Sequence, residues 1–129
     1  MPAFSETGRK RLETCDPRLQ RVLNEAIKHW DFTVLAGHRG EAEQNEAFKK
    51  GNSTKRWPDS KHNTLPSLAV DIAPYPIDWT NLSRFQSLAN RIIGLAAGMG
   101  IKLRSGLDWD GDLDMKDQSF VDGPHLELI

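Results

Sequence analysis

The sequence predicts a small α+β domain, a mainly antiparallel sheet with flanking helices, and three observations carry that expectation. Four apolar runs, at 32–36, 68–73, 101–104 and 125–128, have the length and composition of strands. Three longer stretches, at 17–29, 41–50 and 81–97, space their residues as helices do. The loops between these elements are uneven in length, and no internal repeat is present. A chain of 129 residues holds material for one hydrophobic core and not two, so a single domain over 1–129 is expected. Within it a helical segment over 1–29 precedes a body spanning 30–129.

Asp16-Pro17 sets a capping side chain before a proline at the first helical position. Leu19, Val22, Leu23, Ala26, Ile27 and Trp30 then follow at helical spacing. Phe32-Thr33-Val34-Leu35-Ala36 is a strand stopped by Gly37. From Glu41 to Lys50 the acidic residues come first and the basic ones last, matching the helix dipole, and Gly51 closes an exposed helix. Residues 52–67, rich in Asn, Ser, Pro and Lys, read as loop. Leu68-Ala69-Val70-Asp71-Ile72-Ala73 is a buried strand with one charge inside it, ended by Pro74 and Pro76. The third helix carries Leu82, Phe85, Leu88, Ala89, Ile92, Ile93 and Ala96 on one side and is closed by Gly98 and Gly100. Ile101-Lys102-Leu103-Arg104 and His125-Leu126-Glu127-Leu128 are strands on either side of a long acidic loop.

Composition narrows the partners. A net charge of −1 gives no reason to expect nucleic acid or an anionic membrane surface. No apolar run approaches the roughly 20 residues of a membrane span, so membrane insertion is not expected. Residues 1–7 lack the basic-then-apolar pattern of a secretory signal, which predicts residence in the cytoplasm of the cell that makes the protein. The single Cys15 cannot form an internal disulfide and suits a reducing compartment. Its acidic surroundings in Glu13-Thr14-Cys15-Asp16-Pro17 argue against a nucleophilic thiolate.

Chemistry concentrates at two places. A carboxylate inside a buried strand must be paired, protonated or bound to a metal, and Asp71 is in that position, with His62 shortly before it across a loop containing Pro66. Its plainer reading is a strand-end Asp that caps a loop or pairs with an arginine. In a strand, His125 and Glu127 share one face while Leu126 and Leu128 take the other. Two imidazoles and one carboxylate make a ligand set that leaves a tetrahedral Zn²⁺ one open position. Asp122, three residues before His125, is a spare carboxylate, and a free carboxylate beside a metal-activated water is what hydrolysis requires. A second candidate is the run Asp108-Trp109-Asp110-Gly111-Asp112-Leu113-Asp114, whose alternating carboxylates suit Ca²⁺ although its spacing is not that of an EF-hand. The plainer reading of that run is a solvated acidic loop.

Four stretches in order resemble the M15 family of zinc peptidases, in particular its phage-type L-alanyl-D-glutamate endopeptidases. They are Gly37-His38-Arg39 with Glu43-Gln44-Asn45-Glu46-Ala47-Phe48; Ser60-Lys61-His62 through Ala69-Val70-Asp71; Asp108-Trp109; and Asp122-Gly123-Pro124-His125-Leu126-Glu127-Leu128. The resemblance spans about residues 30–129 and implies a fold like that of the hedgehog domain and the D-Ala-D-Ala peptidases. It implies zinc held by His62, Asp71 and His125, with Asp122 as general base and then general acid. Arg39 would hold the substrate and stabilise the oxyanion, Ser60 would support the loop or the substrate, and Trp109 would wall the cleft. Two departures stand out: Leu65-Pro66-Ser67 replaces a shorter turn bearing Gly, and Asp122 stands where some relatives carry Glu.

The same resemblance implies a monomeric endopeptidase that cuts peptidoglycan stem peptides between L-Ala and D-Glu, a phage or prophage endolysin. It would accumulate in the host bacterial cytoplasm and reach the wall through a hole made by a partner, a holin. No separate wall-binding domain is expected. Two alternatives share these residues. One is a D-Ala-D-Ala dipeptidase or carboxypeptidase, with Arg56 or Arg104 gripping a free substrate carboxylate. The other is a non-catalytic binding module that keeps zinc for stability.

Overall fold

A computed structural model describes residues 2–51, 53–106 and 124–129. Asp108, Trp109, Asp110, Asp112, Asp114 and Asp122 lie outside the described residues, and with them the acidic run and the expected general base.

The helices begin where the sequence supplies caps. Ser5 Oγ accepts the Gly8 N–H at 3.0 Å and starts α1, Glu6–Glu13. Asp16 Oδ1 accepts the Arg18 N–H at 2.9 Å and starts α2, Pro17–Ala26. This helix stops at Ala26 instead of 29. The N–H groups of Lys28 and His29 bond back to the carbonyls of Glu25 and Ala26, a tightened final turn that is no longer α. Next come β1, Phe32–Ala36, and α3, Glu41–Lys49, as the sequence predicts. Within the expected loop a single 3₁₀ turn forms at Lys61–Asn63. It is followed by β2, Ala69–Pro74, and α4, Leu82–Gly98, with Asn81 as cap. The third strand, β3, is Leu103–Ser105, two residues later than expected because the Ile101 N–H closes the end of α4 on the Ala96 carbonyl. The last is β4, His125–Leu128. Gly51 and Gly100, which follow α3 and α4, have φ of 80° and 78°, the left-handed geometry that ends a helix cheaply only at glycine.

The described strands form one sheet in the order β1-β2-β4-β3, antiparallel throughout. One face carries the core: Val34, Val70, Ile72, Leu126 and Leu128 meet Leu19, Val22 and Leu23 of α2 and Leu88 and Ile92 of α4. Period-2 alternation then forces Asp71, His125 and Glu127 onto the opposite face, away from that core. The outer edge of β1 is covered by α1, whose Arg11 Nη1 donates to the Val34 carbonyl at 3.1 Å. Helix α3 is exposed along most of its length, as its charge pattern predicts, but Gln44 is completely buried. No helix among the described residues is long and apolar enough to cross a membrane.

Candidate active site

The site is assembled on the polar face of the sheet from the end of β1, the 3₁₀ turn, β2 and β4. Ser60 and Asn63 set the turn by reciprocal capping. Ser60 Oγ accepts the His62 N–H at 3.2 Å and Asn63 Oδ1 accepts the Ser60 N–H at 3.0 Å. Of the two roles open to Ser60, loop support is the one its contacts display. The Arg39 N–H donates to the His62 carbonyl at 2.8 Å, tying the turn to the segment that leaves β1. The Gly37 carbonyl lies 2.7 Å from His62 Nδ1. A carbonyl can only accept, so Nδ1 carries the proton and, in the neutral ring, Nε2 presents a lone pair.

Asp71 and His125 are direct partners across the β2–β4 ladder, so register alone brings them together. His125 Nε2 donates to Glu127 Oε1 at 2.8 Å, which turns the lone pair of Nδ1 toward the site. His62 Nε2 lies 3.2 Å from Asp71 Oδ1 and 3.2 Å from His125 Nδ1, and the third edge, His125 Nδ1 to Asp71 Oδ1, is 3.4 Å. Three electron-pair donors facing one point repel one another unless a positive charge sits among them. The group therefore has the composition and spacing to hold a metal ion. Burial would raise the Asp71 pKa, but in the state where the two rings carry a second proton, positive charge at His62 and hydrogen bonds from both rings outweigh burial and hold the carboxyl well below the usual carboxylate range.

Asp71 is fixed from its other side as well. Arg39 Nη2 donates to Asp71 Oδ2 at 2.9 Å, leaving Oδ1 for the triangle. Arg39 Nη1 donates to Gln44 Oε1 at 3.2 Å, and the same oxygen accepts from Asn63 Nδ2 at 3.1 Å. Gln44 Nε2 in turn donates to Ser53 Oγ at 3.0 Å and to the Lys55 carbonyl at 2.6 Å. The one buried polar residue of α3 is thus the hub that orients the arginine and the turn bearing His62.

The structure brings together His62, Asp71, His125, Arg39 and Ser60. Composition and periodicity give no reason to single out Gly37 or Gln44, whereas Glu127 has a readable signal, its place two residues from His125 on one strand face. Cys15, set aside as a nucleophile, is 1% exposed at the base of the core. Burial, more than its acidic neighbours, pushes the thiol up to about 12; a hydrogen bond from Thr14 opposes this, and Asp71 and Asp16 add smaller increments. We expect no reaction of this thiol with a disulfide probe in the native protein at pH 8, and full labelling after unfolding. Rapid native labelling would show that the α1–α2 junction opens.

Comparison with known proteins places this geometry in context. The family described as phage L-alanyl-D-glutamate peptidase matches residues 2–129. The L-alanyl-D-glutamate peptidase of Escherichia phage T5 is 34% identical over 134 residues, covering 98% of this chain and 97% of that protein. The crystal structure of the Serratia marcescens L-Ala D-Glu endopeptidase ChiX aligns with a TM-score of 0.76 at 26% identity, covering 98% of this chain and 90% of that one. With sequence, fold and nearly full-length coverage in agreement, the chain belongs to the phage L-alanyl-D-glutamate peptidase family.

Proposed function

We propose that this protein is a peptidoglycan hydrolase that cleaves the L-Ala–D-Glu amide of stem peptides, with Zn²⁺ held by His62, Asp71 and His125. The observation that carries the reading is the donor triangle, with edges of 3.2, 3.2 and 3.4 Å. Tetrahedral bonds of 2.0–2.1 Å put neighbouring ligand atoms about 3.3–3.4 Å apart, so the described side chains already have the spacing zinc needs. Two imidazole nitrogens and one carboxylate oxygen also suit zinc's ligand preference. When bound, the ion supplies Lewis acidity, which acidifies water and polarises the scissile carbonyl.

The chain's own residues supply the rest. Asp122, just before β4 in sequence, accepts the proton lost by the attacking water and returns it to the leaving amine. A guanidinium has five N–H donors, and the contacts to Asp71 and Gln44 use two of Arg39's, so donors remain for charge developing on the amide oxygen. The D-Ala-D-Ala dipeptidase alternative needs an arginine to grip a substrate carboxylate. Its two candidates have other engagements: Arg104 pairs with Glu127 at 2.6 Å, and Arg56 lies over the Phe48 ring at 4.6 Å. A phage lysis role fits the reading.

The test is digestion of defined muropeptides, followed by mass identification of products. We expect cleavage between L-Ala and D-Glu that stops on chelation and returns with zinc. Release of terminal D-Ala or a D-Ala-D-Ala dipeptide would favour the alternative, and inert zinc-loaded protein would favour a binding module. Asp122→Ala should retain zinc and lose about 10²–10⁴-fold in kcat, the usual worth of a positioned general base. Loss of zinc instead would make Asp122 a ligand.

A further inference from the structure

Glu127 is a carboxylate almost fully removed from water, 5% exposed in the central strand β4. A buried charge survives only if paired and hydrogen-bonded, and this one is bonded on both oxygens. Oε1 accepts from His125 Nε2 at 2.8 Å. Oε2 lies 3.1 Å from Lys61 Nζ and 2.6 Å from Arg104 Nη2. Lys61 also donates to the Leu128 carbonyl, and it immediately precedes His62 in the 3₁₀ turn. One carboxylate therefore joins three segments: the turn that carries His62, the strand that carries His125, and β3.

We propose that Glu127 is a positioning residue that sets the two histidine ligands before any metal arrives. Its contact with His125 fixes which ring nitrogen points into the triangle. Its ion pair with Lys61 holds the turn bearing His62 against β4. Losing the carboxylate frees the His125 ring to rotate or change tautomer and loosens the turn, so the donor triangle is no longer preformed. This inference rests on the zinc reading proposed above.

The experiment compares zinc affinity, by competition with a chromogenic chelator, in wild type and Glu127→Gln. It also records the visible absorption of the Co²⁺-substituted proteins and the Tm of the metal-free forms. Wild type should bind one zinc; if it does not, the zinc reading fails and takes this inference with it. Given wild-type binding, we expect Glu127→Gln, whose amide cannot turn its oxygen to His125 without facing Lys61 and Arg104 with its NH2, to weaken zinc about 10–100-fold, the range for disrupting the partner of a ligating histidine. The Co²⁺ spectrum should shift too, which a purely structural role would not produce. A folded Glu127→Gln protein with less than about a threefold loss, on that same scale, and an unchanged spectrum overturns the proposal. Should that variant not fold, Lys61→Met removes a single arm of the clamp from the part-exposed side. A zinc affinity and Co²⁺ spectrum equal to wild type in Lys61→Met would then overturn it.

Discussion

Asp71→Asn should give a folded protein that neither holds zinc at micromolar concentration nor cuts peptidoglycan. Asparagine keeps the shape of the side chain, and its oxygen can still accept the hydrogen bond that Arg39 Nη2 gives Asp71 at 2.9 Å. What disappears is the only anionic donor of the triangle. Replacing a ligand's hydrogen-bond partner costs about 10–100-fold in metal affinity, and replacing the ligand itself must cost at least that. Equilibrium dialysis with zinc, with far-UV circular dichroism as the control for folding, checks the outcome. Retained zinc with lost activity would move Asp71 out of the ligand set and leave it as the counter-ion of Arg39.

Gly37→Ala should damage both the fold and the site. A Cβ at this position would lie 2.4 Å from the Arg11 carbonyl, 2.4 Å from Thr14 Oγ1 and 2.9 Å from Cys15 Sγ. Two of these neighbours have no room to give. The Arg11 carbonyl belongs to the last turn of α1 and accepts from Thr14 Oγ1 at 2.6 Å, while Cys15 is packed in the core. Overpacking of this kind costs roughly 1–3 kcal/mol. For a domain of this size that is a fall in Tm of about 4–12 °C. The carbonyl of Gly37 itself lies 2.7 Å from His62 Nδ1 and would shift with its backbone, so zinc affinity should fall with stability. Thermal unfolding of the metal-free variant, together with zinc titration, separates the two effects. An unchanged Tm would mean that α1 slides off β1 at little cost.

The two variants mark the boundary of what the sequence discloses. Strand β4 was readable to the residue because alternation of polar and apolar side chains needs no partner to be recognised. The same alternation puts His125 and Glu127 on one face. That His125 would stand opposite Asp71 is a fact of register, set by chain segments far apart in sequence, and periodicity carries no trace of it. The overlong reading of α2 has a similar source, since apolar spacing continues through Ile27 and Trp30 while the backbone has already left the helix. Gln44 looked like one more polar residue on a solvated helix. Only packing reveals it as the hinge between Arg39 and the turn bearing His62. Gly37 belonged to a recognised motif, but the reason for glycine, a carbonyl and a sulfur within van der Waals reach of a missing methyl, exists only in three dimensions.

The position of β4 has a consequence for when the enzyme becomes active. It follows every other described element along the chain, yet it lies inside the sheet, between β2 and β3. As the polypeptide leaves the ribosome, β1 and β2 can pair early, while β3 must wait without a neighbour. Insertion of the last strand completes the sheet, and the same movement carries His125 to Asp71. A nascent chain stopped short of residue 124 thus lacks His125 and two of the three described strand pairings together. On the zinc reading proposed above, folding and arming of the hydrolase are a single step, and we expect incomplete copies to be inert.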